Sequence, residues 1–412
     1  MKYGCIGERL GHSFSKEIHE AFADYEYELC EISRDKLSDF ARRADFSAIN
    51  VTIPYKELIM EYMHYTDPQA LEIGAVNTVV NRGGKLYGYN TDFYGMTMLA
   101  HHAGVDMTNK KVVILGTGGT SKTARAVAKS LGAKEVLRVS RTAREGVITY
   151  DELYANHTDA EVIINTTPVG MFPNTSALSV DISSFKNLTG ALDAIYNPIR
   201  TPFILSALER GIAAEGGLYM LVSQAVRASE IFTDTVYPQG VLDSVYKNLL
   251  QGKENIVLTG MPASGKSTVG MLLAKDLGRE LHDTDALIEE RAGKTITEIF
   301  RERGEGYFRT LEAEVIKDVS KKVGIIISTG GGAVLRGENV NALRANGKIY
   351  FLDRPLSALM PTDDRPLAST KEAITKIYNE RYGIYISSAD TVIDADCDAC
   401  AVTEKIKGSH KE

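Results

Sequence analysis

The sequence predicts an α/β protein built on parallel sheets, with two glycine-rich nucleotide turns of different kinds. Three observations carry this. Short apolar runs alternate with longer amphipathic segments, as in KVVILG then TARAVAKSLGA, EVLRVS, EVIINTT, GALDAIY, NIVLTG then STVGMLLAKDLG, and GIIISTGG. Strands spaced by helical patterns imply βαβ units, because parallel strands need a crossover between them. A first glycine turn, LGTGGTSK, follows KVVI, and a second loop, GMPASGKS, follows NIVLT.

At 412 residues the chain is long for one core, and length suggests roughly two to three domains. The alternating pattern divides it into blocks over residues 1–100, 101–217 and 255–412, with a helical tail over 218–250 and a polar linker QGKE at 251–254 as the boundary. Hydrophobic content of 44% and charged content of 25% are ordinary for a globular protein. A net charge of −7 supplies no basic field for nucleic acid, so the expected partners are small molecules. No apolar stretch approaches the ~20 residues of a membrane span, and MKYGCIGERLGHS has no signal-peptide core. The expectation is a cytoplasmic protein with no membrane and no nucleic-acid partner, as monomer or homodimer. Cys5, Cys30, Cys397 and Cys400 fit a reducing compartment; the Cys397-x-x-Cys400 pair lacks the second pair a zinc site needs.

The first loop reads Gly116-Thr117-Gly118-Gly119-Thr120-Ser121, after a buried strand and before a helix. Gly116 permits the tight turn, Gly118 lets a pyrophosphate approach the backbone, and the helix N-terminus faces the phosphates. Gly119, Thr120 and Ser121 complete the turn, with Ser121 where the fingerprint has Gly or Ala. The next strand ends about 20 residues on, where an NAD enzyme carries an acidic residue for the ribose. Here stand Ser140-Arg141-Thr142, with Arg144 beyond and Lys122 in the first loop. Cations there suit a 2′-phosphate, so the expected cofactor is NADP(H).

Three stretches precede that loop: GHSFSKEIH, NVTIPYKE and GYNTDFYG. Ser13 and Ser15 can both donate to an anion. Lys56 follows a proline turn at a helix start, and Asp92 follows Asn90-Thr91 at another. A lysine is a credible proton donor to a carbonyl being reduced when a carboxylate holds it. Taken singly, each has a plainer role as a cap or a solvated side chain.

Together these stretches resemble the shikimate dehydrogenase family over residues 1 to about 250. The matches are S-x-S (Ser13, Ser15), N-V-T-I-P-x-K (Asn50, Thr52, Lys56), A-V-N-T (Asn77), N-T-D (Asn90, Asp92), the glycine turn, S-R-T, I-N-T-T-P-V-G-M (Asn165 to Met171) and G-x-x-x-L-V-x-Q-A (Gly217, Gln224). The resemblance implies reduction of 3-dehydroshikimate to shikimate by NADPH. It places Ser13 and Ser15 on the substrate carboxylate, and Thr52, Asn77, Asp92 and Gln224 on the ring hydroxyls. It makes Lys56 and Asp92 the catalytic pair, sets Tyr196 along the cleft, assigns Gly217 to the cofactor side and has helices over 218–250 complete the substrate lobe of residues 1–100. Where the family more often has Asn-Arg-Thr, this chain has Ser140-Arg141-Thr142. The quinate-oxidising relatives differ at the second serine and carry an acidic residue in place of Arg141.

The second loop is G-x-x-x-x-G-K-S, from Gly260 through Ala263, Ser264, Gly265 and Lys266 to Ser267, with Thr268 next. Its backbone N–H groups wrap a triphosphate, Lys266 neutralises the β- and γ-phosphates, and Ser267 ligates Mg²⁺. Four further stretches bear on the acceptor: HDTDALIE (Asp283, Asp285), GEGYFRTLEAE (Arg309, Glu312), STGGGAV (Gly330 to Gly332), and DDRPL with ERYGIY (Arg365, Arg381). One of two aspartates can serve the metal while the other accepts a hydroxyl proton. Guanidinium forks suit a carboxylate, and bare glycine backbone admits a polyol ring.

This segment resembles shikimate kinase over about 255 to 410. The resemblance assigns Asp283 to Mg²⁺, Asp285 to the 3-hydroxyl as base, and Arg309, Arg381, Gly331 and Gly332 to shikimate. Lys266 and Arg365 stabilise the transferring phosphoryl group from ATP. The lid segment PLSALMPTDDR is shorter than family lids, lacks their extra arginine and adds Asp363 and Asp364. The whole chain therefore reads as a substrate lobe, an NADP-binding Rossmann lobe and a P-loop kinase domain: a fusion of two consecutive activities. Two alternatives stay open. One is an active dehydrogenase with a weakened or regulatory kinase lobe; the other is a nucleotide-sensing module that turns nothing over.

Overall fold

The computed structural model describes residues 1–11, 14–360 and 370–411. The chain divides into two compact units, Met1–Leu249 and Leu250–Glu412.

The first unit opens with β1 (Tyr3–Gly7), α1 (Ser15–Glu20), β2 (Glu28–Glu31), α2 (Leu37–Arg43), β3 (Ala48–Val51), β4 (Tyr65–Thr66), α3 (Pro68–Ile73), β5 (Thr78–Arg82) and β6 (Lys85–Tyr89). The sheet order is β2-β1-β3-β5-β6-β4. It is mixed rather than purely parallel, since β5 runs antiparallel to both β3 and β6. The reason is local. Gly83 and Gly84 both take positive φ, 62° and 83°, the requirement of a two-residue hairpin, and a hairpin leaves no room for a crossover. Ile6, Ile49, Val51, Tyr55, Val79 and Leu86 fill one face.

α4 (Thr91–His102) leads into the second lobe: β7 (Lys111–Leu115), α5 (Gly119–Ser130), β8 (Glu135–Ser140), β9 (Ile148–Thr149), α6 (Tyr150–Asn156), β10 (Val162–Asn165), β11 (Gly190–Asp193), α7 (Pro202–Glu209) and β12 (Ala213–Glu215). Its sheet, β12-β11-β10-β7-β8-β9, is parallel throughout. β7 is apolar without alternation because both faces are covered. Val112 and Ile114 pack with Val127 and Ala128, whereas Val113 and Leu115 pack with Leu153 and Phe203.

Two helices follow, α8 (Leu218–Thr233) and α9 (Val241–Lys253), and they divide their allegiance. α8 returns to the first lobe, where Ala228 and Phe232 join Tyr27, Ala48 and Val80. It also lies tight on α4, since a Cβ on Gly95 would sit 2.7 Å from the Met220 carbonyl. α9 instead sets Leu242 and Tyr246 on the cluster shared by α4, β7 and α5, and the Tyr246 hydroxyl donates to Glu215 at 3.1 Å. Of the helices over 218–250, α8 thus packs on the first lobe and α9 on the second. The QGKE stretch also departs from a linker: residues 251–253 are helical. Its polar side chains hide a capped helix end. Arg279 donates to the Gln251 and Glu254 carbonyls, and the Gly324 N–H donates to the Lys253 carbonyl at 2.8 Å.

The second unit contains β13 (Asn255–Thr259), α10 (Lys266–Leu277), β14 (Leu281–Asp283), α11 (Thr284–Ala292), α12 (Ile296–Val319), β15 (Ile326–Ser328), α13 (Gly337–Asn346), β16 (Gly347–Asp353), α14 (Lys371–Ser388), β17 (Thr391–Asp394) and α15 (Ala399–Lys411). Its sheet, β14-β15-β13-β16-β17, is parallel. β13 is buried along its whole length at the centre. Among the described residues, no helix is long and apolar enough to cross a membrane.

One buried group gives the first unit a pH-dependent term. His19 on α1 stacks on Tyr27 at 4.0 Å between centroids, its Nδ1 lies 2.8 Å from the Tyr25 hydroxyl, and burial pushes its pKa down from 6.5 to about 3. A histidine folded in its neutral form stabilises the fold above the unfolded value and loses that stabilisation as pH falls toward the folded one. Between pH 6.5 and 3, wild type is expected to lose about 1.4 kcal/mol per pH unit from this residue. His19→Phe keeps the stack and should flatten that part of the acid limb in urea midpoints. An unchanged slope would mean His19 is not the titrating group.

Candidate active sites

The first site lies where β3, β5 and α4 meet. β3 ends at Val51, and Thr52 and the turn through Pro54 carry the chain to Lys56. Lys56 sits in a turn ahead of a short 3₁₀ segment, Leu58–Tyr62, rather than opening an α-helix. Its backbone carbonyl is fixed by the Val76 N–H at 2.8 Å. Lys56 Nζ donates to Asp92 Oδ2 at 2.7 Å, and the Asp92 side chain is 7% exposed. Asp92 occupies the first turn of α4, whose N-cap is Asn90: its side chain accepts from the Phe93 N–H at 3.2 Å and donates to the Ala75 carbonyl at 2.9 Å. A helix start therefore orients the carboxylate, and the carboxylate holds the lysine.

Asn77 ties this pair to α8. Its Oδ1 accepts from the Thr91 N–H at 2.8 Å, and its Nδ2 lies 3.5 Å from Gln224 Oε1. Behind it, Tyr27 donates to Asn50 Oδ1 at 2.7 Å, and Asn50 Nδ2 donates to Thr78 Oγ1 at 3.2 Å and to the Asn77 carbonyl. The tyrosine of this network carried no sequence signal, because a buried Tyr in YEYELCE reads as core. Tyr196 is half-buried and meets Phe14 at 5.4 Å. Ser15 opens α1. Ser13 lies outside the described residues.

Gly116 adopts φ 110°, and a Cβ there would sit 2.7 Å from Thr166 Oγ1, so only glycine fits. Gly118 caps α5, and nothing lies within 4 Å of a Cβ built on Gly118 or Gly119. That leaves open space before the first turn of α5, which begins with Gly119 and Thr120. Ser121 explains its own departure from the fingerprint: it is buried, and its hydroxyl donates to the Gly116 carbonyl at 2.8 Å, closing the turn. Ser140 and Thr142 form a hydroxyl-braced turn, Ser140 Oγ accepting from the Thr142 N–H at 3.1 Å. It carries Arg141 and Arg144, both exposed. A dinucleotide with a 2′-phosphate fits this open turn and these free cations.

Lys122 has a partner that the sequence does not show. It sits on α5 and pairs with Glu57 of the first lobe at 2.7 Å. Nothing in KELI announces that partner, which only the approach of the lobes supplies. Gly217 is also explained by packing. Its N–H donates to the Ile195 carbonyl at 2.8 Å, and a Cβ there would strike the Ala194 carbonyl. It sets α8 against the turn that bears Tyr196.

The second site forms at the C-terminal edge of the β13 sheet. The loop after β13 bends through Gly260 (φ 154°), Ala263 (φ 64°) and Gly265 (φ 92°) into α10. Lys266 is buried, and its Nζ donates to the Gly260 and Met261 carbonyls at 2.9 Å each, with Ser264 Oγ at 3.4 Å. Ser267 Oγ donates to Asp283 Oδ2 at 3.2 Å, as does Ser328 Oγ at 3.1 Å. Thr268 follows in the first turn of α10. A hydroxyl beside a carboxylate at a phosphate loop is the hard-oxygen donor set Mg²⁺ takes together with phosphates.

Asp283 caps α11, accepting from the Asp285 N–H at 3.0 Å, which turns Asp285 toward the triple glycine. A Cβ on Gly330 would strike Asp285 Oδ1, and one on Gly332 would strike the Arg309 guanidinium. The expectation was a glycine backbone bared for a ring; at these two positions the space is taken by the protein's own Asp285 and Arg309. Gly331 lies against Pro262, and its carbonyl accepts from Arg381 Nη1 at 3.1 Å and from the Tyr385 hydroxyl. Arg309 follows a kink in α12 at Gly304 and donates to Glu312 at 2.8 Å and Glu305 at 3.1 Å. Burial opposes its charge, but the two carboxylates outweigh it and hold its pKa above the usual value. Arg365, Asp363 and Asp364 lie outside the described residues. Cys397 and Cys400 are free and exposed.

A lysine held by a buried carboxylate, in one unit with a dinucleotide turn, defines a carbonyl oxidoreductase; the phosphate loop with paired aspartates defines a phosphotransferase. The comparisons agree. The family model "Shikimate dehydrogenase substrate binding domain" matches residues 5–79, and "Shikimate kinase" matches 262–409. A shikimate dehydrogenase (NADP(+)) of Clostridium perfringens is 35% identical over 265 residues, covering 60% of this chain and 97% of that protein. Shikimate dehydrogenase 1 of Peptoclostridium difficile superposes with a TM-score of 0.56 at 37% identity, over 60% of this chain and 98% of that one. A chorismate mutase/shikimate 5-dehydrogenase fusion protein of Clostridium acetobutylicum gives 0.57 at 35% identity, over 60% and 96%. The chain belongs to the shikimate dehydrogenase family, and it carries a shikimate kinase domain fused behind the dehydrogenase.

Proposed function

We propose that this chain reduces 3-dehydroshikimate to shikimate and then phosphorylates shikimate on its 3-hydroxyl. The observation that carries the first half is the 2.7 Å Lys56–Asp92 pair at the start of α4. Bound NADPH supplies a hydride. Lys56 Nζ delivers a proton to the carbonyl oxygen as it gains charge, and Asp92 keeps the ammonium in place. Asn77, Thr52, Gln224 and Asp92 hold the ring hydroxyls, Ser13 and Ser15 the carboxylate, and Tyr196 one wall. We place the substrate lobe over about residues 1–100 with α8, and the dinucleotide lobe over 101–217 with α9.

In the kinase unit, ATP supplies the phosphoryl group. Asp285 accepts the proton of the attacking hydroxyl, while Ser267 and Asp283 hold Mg²⁺. Lys266 exchanges loop carbonyls for phosphate oxygens, and Arg365 has the role the family resemblance assigns it, on the transferring phosphoryl group. Arg309 and Arg381 grip the shikimate carboxylate. The free state of all four cysteines supports a cytoplasmic location.

The test is a product analysis of the intact chain with 3-dehydroshikimate, NADPH, ATP and Mg²⁺. Shikimate 3-phosphate is the expected product. Shikimate accumulating alone would refute the kinase half and favour a weakened kinase with a short acidic lid. The cofactor choice has its own test: Arg141→Ser should raise KM for NADPH about ten-fold, with little change for NADH, because a guanidinium–phosphate contact is lost. Equal effects on both would mean Arg141 does not read the 2′-phosphate.

A further inference from the structure

A second cation stands at the phosphate loop, one to which no role has been given. β16 pairs in parallel with β13, Phe351 opposite Thr259. The residues after each strand therefore emerge at the same edge of the sheet. On β13 these are Gly260 and the loop; on β16 the first is Arg354, directly after the strand's last residue, Asp353. The approach is close, since a Cβ on Gly260 would sit 3.1 Å from the Leu352 carbonyl.

Arg354 reaches the far end of that loop. Its Nη1 lies 3.9 Å from where a Cβ on Gly265 would be. Gly265 is the N-cap of α10 and takes φ 92°, so its bare face looks toward the point where a phosphate meets the helix N-terminus. Arg354 Nε is buried and has no hydrogen-bond partner among the described residues. Among the described residues no ion pair joins it to its neighbour Asp353, whose Oδ2 accepts from the Tyr382 hydroxyl at 2.9 Å. Among the described arginines of this unit's site, Arg309 is committed to Glu312 and Glu305, and Arg381 to the Gly331 carbonyl. A guanidinium N–H buried without an acceptor is costly, and phosphate oxygens are the acceptors whose geometry and charge suit it best.

We propose that Arg354 is a nucleotide-binding residue, placing a guanidinium on the polyphosphate of the bound nucleoside triphosphate opposite Lys266. The proposal rests on the kinase reading for the identity of the nucleotide. It also gives the chain a phosphate cation from the body of the sheet, where the sequence of its lid segment is short and acidic.

The experiment is calorimetric titration of the full chain with Mg·ADP and with a non-hydrolysable Mg·ATP analogue, in wild type, Arg354→Ala and Arg354→Lys. Arg354→Ala should weaken the analogue about 10- to 100-fold, the loss of one charge-assisted contact, with Arg354→Lys recovering part of it. KM for shikimate should stay within about two-fold, and NADPH-linked reduction in the same chain should be unchanged. Nucleotide affinity within about two-fold of wild type in Arg354→Ala would overturn the proposal. So would an equal loss of shikimate binding together with a lowered melting point, which would make Arg354 a packing residue. Binding is read without turnover, so a chain that binds nucleotide yet phosphorylates nothing counts against the kinase activity alone. The affinity ratio still decides the role of Arg354.

Discussion

Lys56→Ala is expected to cut reduction of 3-dehydroshikimate by about 10²- to 10⁴-fold in kcat, the range of a positioned general acid. The reason is geometric. Lys56 Nζ is held by Asp92 Oδ2 at 2.7 Å, and Asp92 is fixed by the N-terminal turn of α4. Removing the ammonium removes the proton that neutralises the developing alkoxide, while the dinucleotide turn at Gly116 is left intact. KM for NADPH should therefore hold, and ATP-dependent phosphorylation of added shikimate should proceed at the wild-type rate. Stopped-flow absorbance of NADPH separates these effects. A reduction rate within a few-fold of wild type would remove Lys56 from proton transfer and leave it a binding residue.

Asp285→Asn carries the second large effect, and it falls on the other activity. Asp285 is turned toward the triple glycine by the Asp283 cap and packs so close to Gly330 that no Cβ could stand there. Asn is nearly isosteric, so the packing survives and only the capacity to accept a proton is lost. Phosphorylation should fall about 10²- to 10⁴-fold, with KM for shikimate changing far less and the dehydrogenase rate untouched. A kinase rate near that of wild type in Asp285→Asn would assign the base elsewhere. Because both variants are assayed in the full chain, each activity serves as the folding control for its own unit when the other is mutated.

Much of the chemistry was legible in local sequence. The loop GMPASGKS, the turn LGTGGTSK and the N-T-D start of α4 each place their reactive groups through backbone geometry a few residues long. Gly116, Gly260 and Gly265 need positive φ, and helix N-termini follow at once. Such motifs survive in a linear reading because nothing distant is required to form them. The hairpin at Gly83-Gly84 is equally local, and it is what makes the first lobe's sheet mixed beside the two parallel sheets.

Other features depend on partners far along the chain. Lys122 read as a cation for the cofactor, and Glu57 claims it across 65 residues. The QGKE stretch read as a linker by polarity, yet Arg279 and Gly324 cap it as a helix end. Gly330 and Gly332 read as room for a ring, and the structure fills those places with Asp285 and Arg309. Arg354 had no motif at all and acquired a site only because β16 runs parallel beside β13. The sequence by itself determined the two glycine loops, the placement of Asp92 and Asp285 at helix starts and the order of the domains, because these depend on short-range backbone geometry and residue type. Tertiary structure alone decided which charges are free and which are spent, since pairing is set by distance in space, and burial decides what an unpaired charge costs.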